Sequence, residues 1–250
     1  MKLLNYVYKL VCKISSSFTE IAYPDSDSLP MAESDSARDY LIYAVEALEI
    51  YFQTNPQVYV SGNLFIYYEQ GNPKAVVAPD VFVVLGVAKQ KRRVYKLWEE
   101  NNKVPDFVLE VTSKSTVSED QGIKKGLYAF LGVREYFQYY PTGDYLDPPL
   151  KGFRLTEDNY QPIPATTLPD GSLVIPSQTL GLELRVQDNQ MRFYEPATGR
   201  KLFSGQEAEQ ARQDAEQARQ EAEQARNEER ERSQKLAAQL RELGLDPDNL

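Results

Sequence analysis

The chain has no histidine and one cysteine, Cys12, in 250 residues. Without imidazole there is no Ser-His-Asp or Cys-His nucleophile system, and no zinc site built on histidine. A lone cysteine excludes a disulfide within the chain and any multi-cysteine zinc cluster. Long apolar runs are missing too. The opening MKLLNYVYKLVCKISSS is interrupted by Lys9 and Lys13, so residues 1–29 read as a mobile leader, with no membrane span anywhere. A cytoplasmic location is the expectation. Bulk positive charge is also lacking, since the net charge is −9. From Gln206 onward there are 12 acids and 7 bases, which leaves −4 on the first 205 residues. Binding that relies on overall positive charge is therefore disfavoured. One basic run, Lys89-Gln90-Lys91-Arg92-Arg93 with Lys96 behind it, is either a phosphate contact or a solvated loop.

What remains for chemistry is carboxylate, lysine, tyrosine and a hard cation such as Mg²⁺ or Mn²⁺. Apolar residues at three-and-four spacing from Ala37 to Phe52 predict a helix. Its Glu46 lies opposite the apolar stripe and faces solvent. Two aromatic, β-branched strands are expected at residues 58–68 and 75–85, with Gly62 as a bulge. Pro79-Asp80 inside the second marks a bend that aims Asp80 out of the ladder. A third strand, 104–112, places Glu110 and Thr112 on one face. Asp106, at its start, lies about 13 Å from Glu110 at about 3.3 Å per residue and is expected at the surface. Ser118 and Gln121 predict a capping box for a helix of roughly 119–131, with Gly132 as its C-cap. A strand at 133–140 then implies a right-handed parallel crossover, with the candidate residues at the carboxyl end of the sheet.

Asp80 and Glu110 on adjacent strands, completed by the Val111 backbone carbonyl, make a donor set for Mg²⁺ (or Mn²⁺). Lys124, if its helix folds back, supplies a cation to orient water and steady negative charge. Lys114 competes for that role because 110, 112 and 114 share a strand face. Lys125 falls about 100° round the helix from Lys124 and is set aside. Tyr128, one turn beyond Lys124, and Gln138 on the last strand are further cleft candidates.

Beyond Pro141 the pattern changes to short strands with turn signals, a β-rich extension over 142–205. The tail is a seven-residue repeat: EAEQARQ, DAEQARQ, EAEQARN. Alanines at 208, 211, 215, 218, 222 and 225 hold a and d positions of a helix over 206–243, ahead of a terminal segment 244–250. The expected organisation is one domain over 30–205, its core at 36–141, plus a helix that either pairs two copies as a weak homodimer or stands as a solitary charged helix.

Ala78-Pro79-Asp80-Val81, then Glu110-Val111-Thr112-Ser113-Lys114-Ser115-Thr116, then Asp120, Lys124 and Tyr128, then Gly132-Val133-Arg134-Glu135-Tyr136 together resemble the Uma-two family of restriction endonucleases. That family lies within the PD-(D/E)XK nuclease superfamily. The likeness spans about residues 30–205. It implies a restriction-endonuclease-like α/β fold, a mixed central sheet flanked by helices, and Mg²⁺-dependent cleavage of DNA. The superfamily pattern expects lysine two residues after the glutamate, where this chain has Thr112. The resemblance moves that lysine to the helix and selects Lys124.

Overall fold

A computed structural model describes residues 21–25, 35–113, 116–142 and 147–242. Most of the expected leader, the terminal segment and Lys114 lie outside the described residues. Two compact units divide the chain, residues 1–202 and 203–250.

The first unit is a mixed α/β body. Helix α1 (Asp35–Tyr51) precedes β1 (Val58–Ser61), β2 (Ile66–Tyr67), β3 (Val76–Val77), β4 (Val81–Leu85), β5 (Tyr95–Lys96) and β6 (Phe107–Val111). Next come α2 (Val117–Glu119), a π-helical turn (Asp120–Lys124) and α3 (Lys125–Leu131). Strands β7 (Glu135–Tyr139), β8 (Leu150–Thr156), β9 (Asn159–Pro162), β10 (Thr166–Thr167), β11 (Leu173–Ser177), β12 (Leu182–Gln187) and β13 (Gln190–Tyr194) follow. The central sheet runs β1-β4-β6-β7-β8-β9. Within this sheet, among the described residues, β6 and β7 are the parallel pair, with Glu110 opposite Gln138, as a crossover through α2 and α3 requires. Strands β8 and β9 extend this sheet, so the core passes the expected boundary at Pro141. The antiparallel sheet β10-β11-β12-β13 is separate.

Alternation along β6 divides the interior into two apolar layers. Phe107, Leu109 and Val111 join α1 residues Ala44, Ala47 and Leu48 and the second sheet's Leu182, Leu184 and Phe193. Val108 joins Tyr59, Phe82, Tyr95, Tyr128 and Tyr136 on the opposite face. Burying each such Leu or Phe stabilises by roughly 2 kcal/mol. Glu110 shares the face of Val108, beneath α3, and is fully buried there.

The two long strands expected at 58–68 and 75–85 are each split, β1 from β2 and β3 from β4, between the central sheet and the small sheet β3-β2-β5. Gly62 explains the break. A Cβ there would sit 2.3 Å from the Asp80 backbone oxygen and 2.9 Å from Val45, so only glycine lets the two bends cross. Gly132, at φ +86, caps α3 in the left-handed conformation, as expected. The Ser118–Gln121 capping box does not form. The helix starts two residues earlier, with Thr116 at its N-cap and a hydroxyl-linked turn between Ser113 and Thr116.

Helix α4 (Gly205–Glu242) makes up the described part of the second unit. Its start is a capping box: Ser204 N–H donates to Glu207 Oε2 at 2.9 Å, and Glu207 N–H to Ser204 Oγ at 3.2 Å. Serine and a glutamate three residues on, ahead of the alanine repeat, is a pattern that the sequence carries openly. No helix among the described residues is long and apolar enough to cross a membrane.

Candidate active site

Three segments converge on the face of the central sheet under α3. Asp80 ends the bend before β4, and its Oδ2 accepts the Val111 N–H at 2.7 Å. Glu110 stands on β6. Its Oε2 accepts from Lys124 Nζ at 3.0 Å and its Oε1 from the Tyr128 hydroxyl at 2.6 Å. The Asp80 and Glu110 carboxyls are close enough to shift each other's titration. Lys124 also lies 3.1 Å from Asp120 Oδ1. Asp80, Glu110 and Lys124, spread over 45 residues of sequence, therefore meet at one place.

Asp120 belongs to this cluster although no role was assigned to it from the sequence. It is 1% exposed, on the π-helical turn, and its backbone oxygen accepts the Tyr136 hydroxyl at 2.8 Å. Its place in the Asp120-Lys124-Tyr128 series, at four-residue spacing, was the available signal. Tyr128 lies buried under the cluster, donating to Glu110 and fixing its rotamer. Gln138 is buried as well, but its amide donates to the Tyr136 hydroxyl at 3.1 Å, one residue removed from the acids.

The electrostatics are unbalanced. Burial, then the Asp80 charge, push Glu110 well above the usual carboxylate range. Burial likewise raises Asp80, against the pull of Lys124. Burial opposes the charge on Lys124, yet Glu110, Asp120 and Asp80 outweigh it and hold the amine above its ordinary value. Lys124 is thus held as an ammonium, and the Asp80–Glu110 pair, titrating as one unit, keeps its proton to higher pH than free carboxyls do.

Three carboxylates against one ammonium leave two negative charges when all are ionised, the charge that a divalent cation cancels. All the side-chain donors are hard oxygens, suited to Mg²⁺ or Mn²⁺. Thr112 Oγ1, two residues beyond Glu110, is buried with no hydrogen-bond partner, and the Lys124 ammonium is the one partner that Asp120 Oδ1 has among the described residues. The residues therefore fit such an ion, although no three acids among the described residues are arranged as a ready-made ligand set.

The family model described as "Putative restriction endonuclease", Uma2, matches residues 28–187. The chain belongs to the Uma2 family. That match holds Asp80, Glu110, Lys124 and Tyr128, and ends within β12. Among solved structures, one titled "putative nuclease belonging to DUF820 from Anabaena variabilis ATCC 29413" is similar at 13% identity. It covers 60% of this chain and 76% of its own, with a TM-score of 0.39. No curated protein matches the chain.

Two sequence expectations change within this Uma2 chain. Asp106 is not at the surface: it is 7% exposed and accepts the Leu85 N–H at 2.7 Å, which ties β6 to β4. The basic run is a solvated loop at Lys89, Gln90, Lys91 and Arg93, which are exposed, but not at Arg92. Arg92 is buried against Glu100 at 2.7 Å, its guanidinium 4.3 Å from the Tyr59 ring centroid. Arg93 pairs with Asp25 and Lys96 with Glu99. The Lys89 amine reaches the Glu49 and Phe52 carbonyls near the end of α1. Most of these charges are spent on intramolecular pairs.

Proposed function

We propose that the protein is a metal-dependent endonuclease that hydrolyses DNA phosphodiester bonds. The observation that carries this reading is the meeting of Asp80, Glu110 and Lys124, with the Lys124 ammonium 3.0 Å from Glu110. Asp80, Glu110 and the Val111 carbonyl would hold Mg²⁺ (or Mn²⁺). When bound, the ion supplies charge for the phosphate and lowers the pKa of a water on it. Lys124 carries the fixed positive charge, directed at the oxygen on which negative charge builds. Asp120 restrains Lys124 from one side, and Tyr128 restrains Glu110 from below. Tyr128 stays protonated as a donor, since burial and then the Glu110 charge raise it well above its ordinary value.

Supercoiled plasmid incubated with the full chain and Mg²⁺ or Mn²⁺ is expected to be nicked or linearised, and to stay intact in EDTA. Glu110→Ala should leave it intact under all conditions. Equal cutting by wild type and Glu110→Ala would end the enzyme reading, leaving a non-catalytic DNA-binding or assembly module.

The natural assembly is a cytoplasmic homodimer joined through α4. Its alanine seam buries little area per residue, so the pairing is close-packed and weak. Light scattering should find the full chain as a dimer and the chain truncated after Gly205 as a monomer, and a truncated chain that is still a dimer would refute pairing through this helix.

A further inference from the structure

Glu110, Gln138 and Lys151 stand in one cross-strand row, Glu110 opposite Gln138 and Gln138 opposite Lys151. All three share the face beneath α3. At about 4.8 Å between strands, the Lys151 backbone lies about 10 Å from that of Glu110. Phe153, two residues further along β8, shares this face, and the Lys125 amine lies 3.5 Å from its ring centroid. The lysine that helical geometry separates from Lys124 thus lies over Phe153, two residues along β8 from Lys151. Both are half-buried, and neither forms an ion pair among the described residues. Burial first, then the Lys151 charge, hold the Lys125 amine below its ordinary value. Two like charges that feel each other without a counter-ion cost stability. An anion between them would offset that cost.

We propose that Lys125 and Lys151 form a ledge that binds the backbone phosphate next to the one that is cut. The separation from Glu110 suits a neighbouring phosphate rather than the scissile one. Phe153 props the Lys125 amine through its ring face, and Gln138 spaces the ledge from the acids. Lys125 and Lys151 are positioning residues, and this assignment rests on the nuclease reading above.

The test uses the full chain and a short fluorescent DNA duplex, with Ca²⁺ for binding and Mg²⁺ for turnover. Lys125→Gln/Lys151→Gln should weaken binding about tenfold, equally for unrelated sequences, and should reduce the slope of log affinity against log salt by about 2. With Mg²⁺, KM should rise more than kcat falls. Lys125→Arg/Lys151→Arg should restore the slope. If the double variant misfolds, Lys151→Gln alone should change the slope by about 1. A folded variant with an unchanged slope overturns the ledge, as does a wild type that binds no duplex. If such a wild type still cuts, only the ledge fails. If wild type binds, loses the slope as expected and yet never cuts, the nuclease reading fails and the ledge stands.

Discussion

Asp80→Asn is expected to be inactive and, at the same time, more stable than the wild type. Cleavage should fall by about 10³-fold, the scale seen when a group acting on developing charge is removed. The gain in stability follows from the site's electrostatics. Asp80 is held above the usual carboxylate range by burial, so ionising it in the folded protein costs free energy at neutral pH. An amide keeps an oxygen for the Val111 N–H, 2.7 Å away, and removes the repulsion with Glu110. A rise of about 1 kcal/mol, roughly 2–4 °C in melting temperature, is expected. Glu110→Gln should differ. Glu110 faces both Lys124 and Tyr128, so its amide removes one of the two ion-pair partners of a buried ammonium, and stability falls. If the cluster were only a structural ion-pair network, both substitutions would lower the melting temperature. Thermal denaturation in EDTA beside a plasmid assay separates the two cases. A destabilised Asp80→Asn would count against a functional origin for the charge imbalance.

The sequence carried the parts that obey short-range rules. The 3.6-residue period of α1, the parallel β6–α3–β7 crossover and the Gly132 cap depend on neighbours in the chain, and all are present. The convergence of Asp80, Glu110 and Lys124 was legible because strand alternation and one crossover suffice to bring them together. Other features depend on what lies across space. Arg92 resembles its basic neighbours in sequence, and only the approach of Glu100 and Tyr59 makes it a buried staple. Asp106 resembles a turn acid until the Leu85 N–H meets it. Gly62 reads as a bulge, whereas its role is to let the Asp80 backbone pass at close range. Lys125 was set aside by helical angle, and that same angle carries it over Phe153, on a strand beyond the expected core. The capping boxes show the opposite case. Ser118-Gln121 and Ser204-Glu207 both fit local rules. Only the second forms, because the turn through Ser113 and Thr116 starts the earlier helix ahead of Ser118.

Magnesium should bind more tightly as pH rises, by up to tenfold in Kd per pH unit for each proton displaced. The Asp80–Glu110 pair holds a proton that a cation must expel, and both groups are raised by burial. The same linkage sets the sign for the metal-free protein. A carboxyl whose folded pKa is raised contributes stability that is fully present below its unfolded value, near 4. That stability is lost as pH climbs through the raised folded value. Lys124 does not alter this trend: its pKa is also raised, so its contribution is complete at every pH below about 10. The melting temperature of the wild type in EDTA should therefore decline from mildly acidic to mildly alkaline pH relative to Asp80→Asn. Added Mg²⁺ should reverse the decline. At ten times its Kd it contributes about 1.4 kcal/mol, or roughly 3–6 °C, and the increment should grow with pH. Calorimetric titration in two buffers of different ionisation enthalpy counts the protons released. A Mg²⁺ effect that is absent, or that is the same at every pH and in Asp80→Asn, would mean that these carboxylates do not hold the ion.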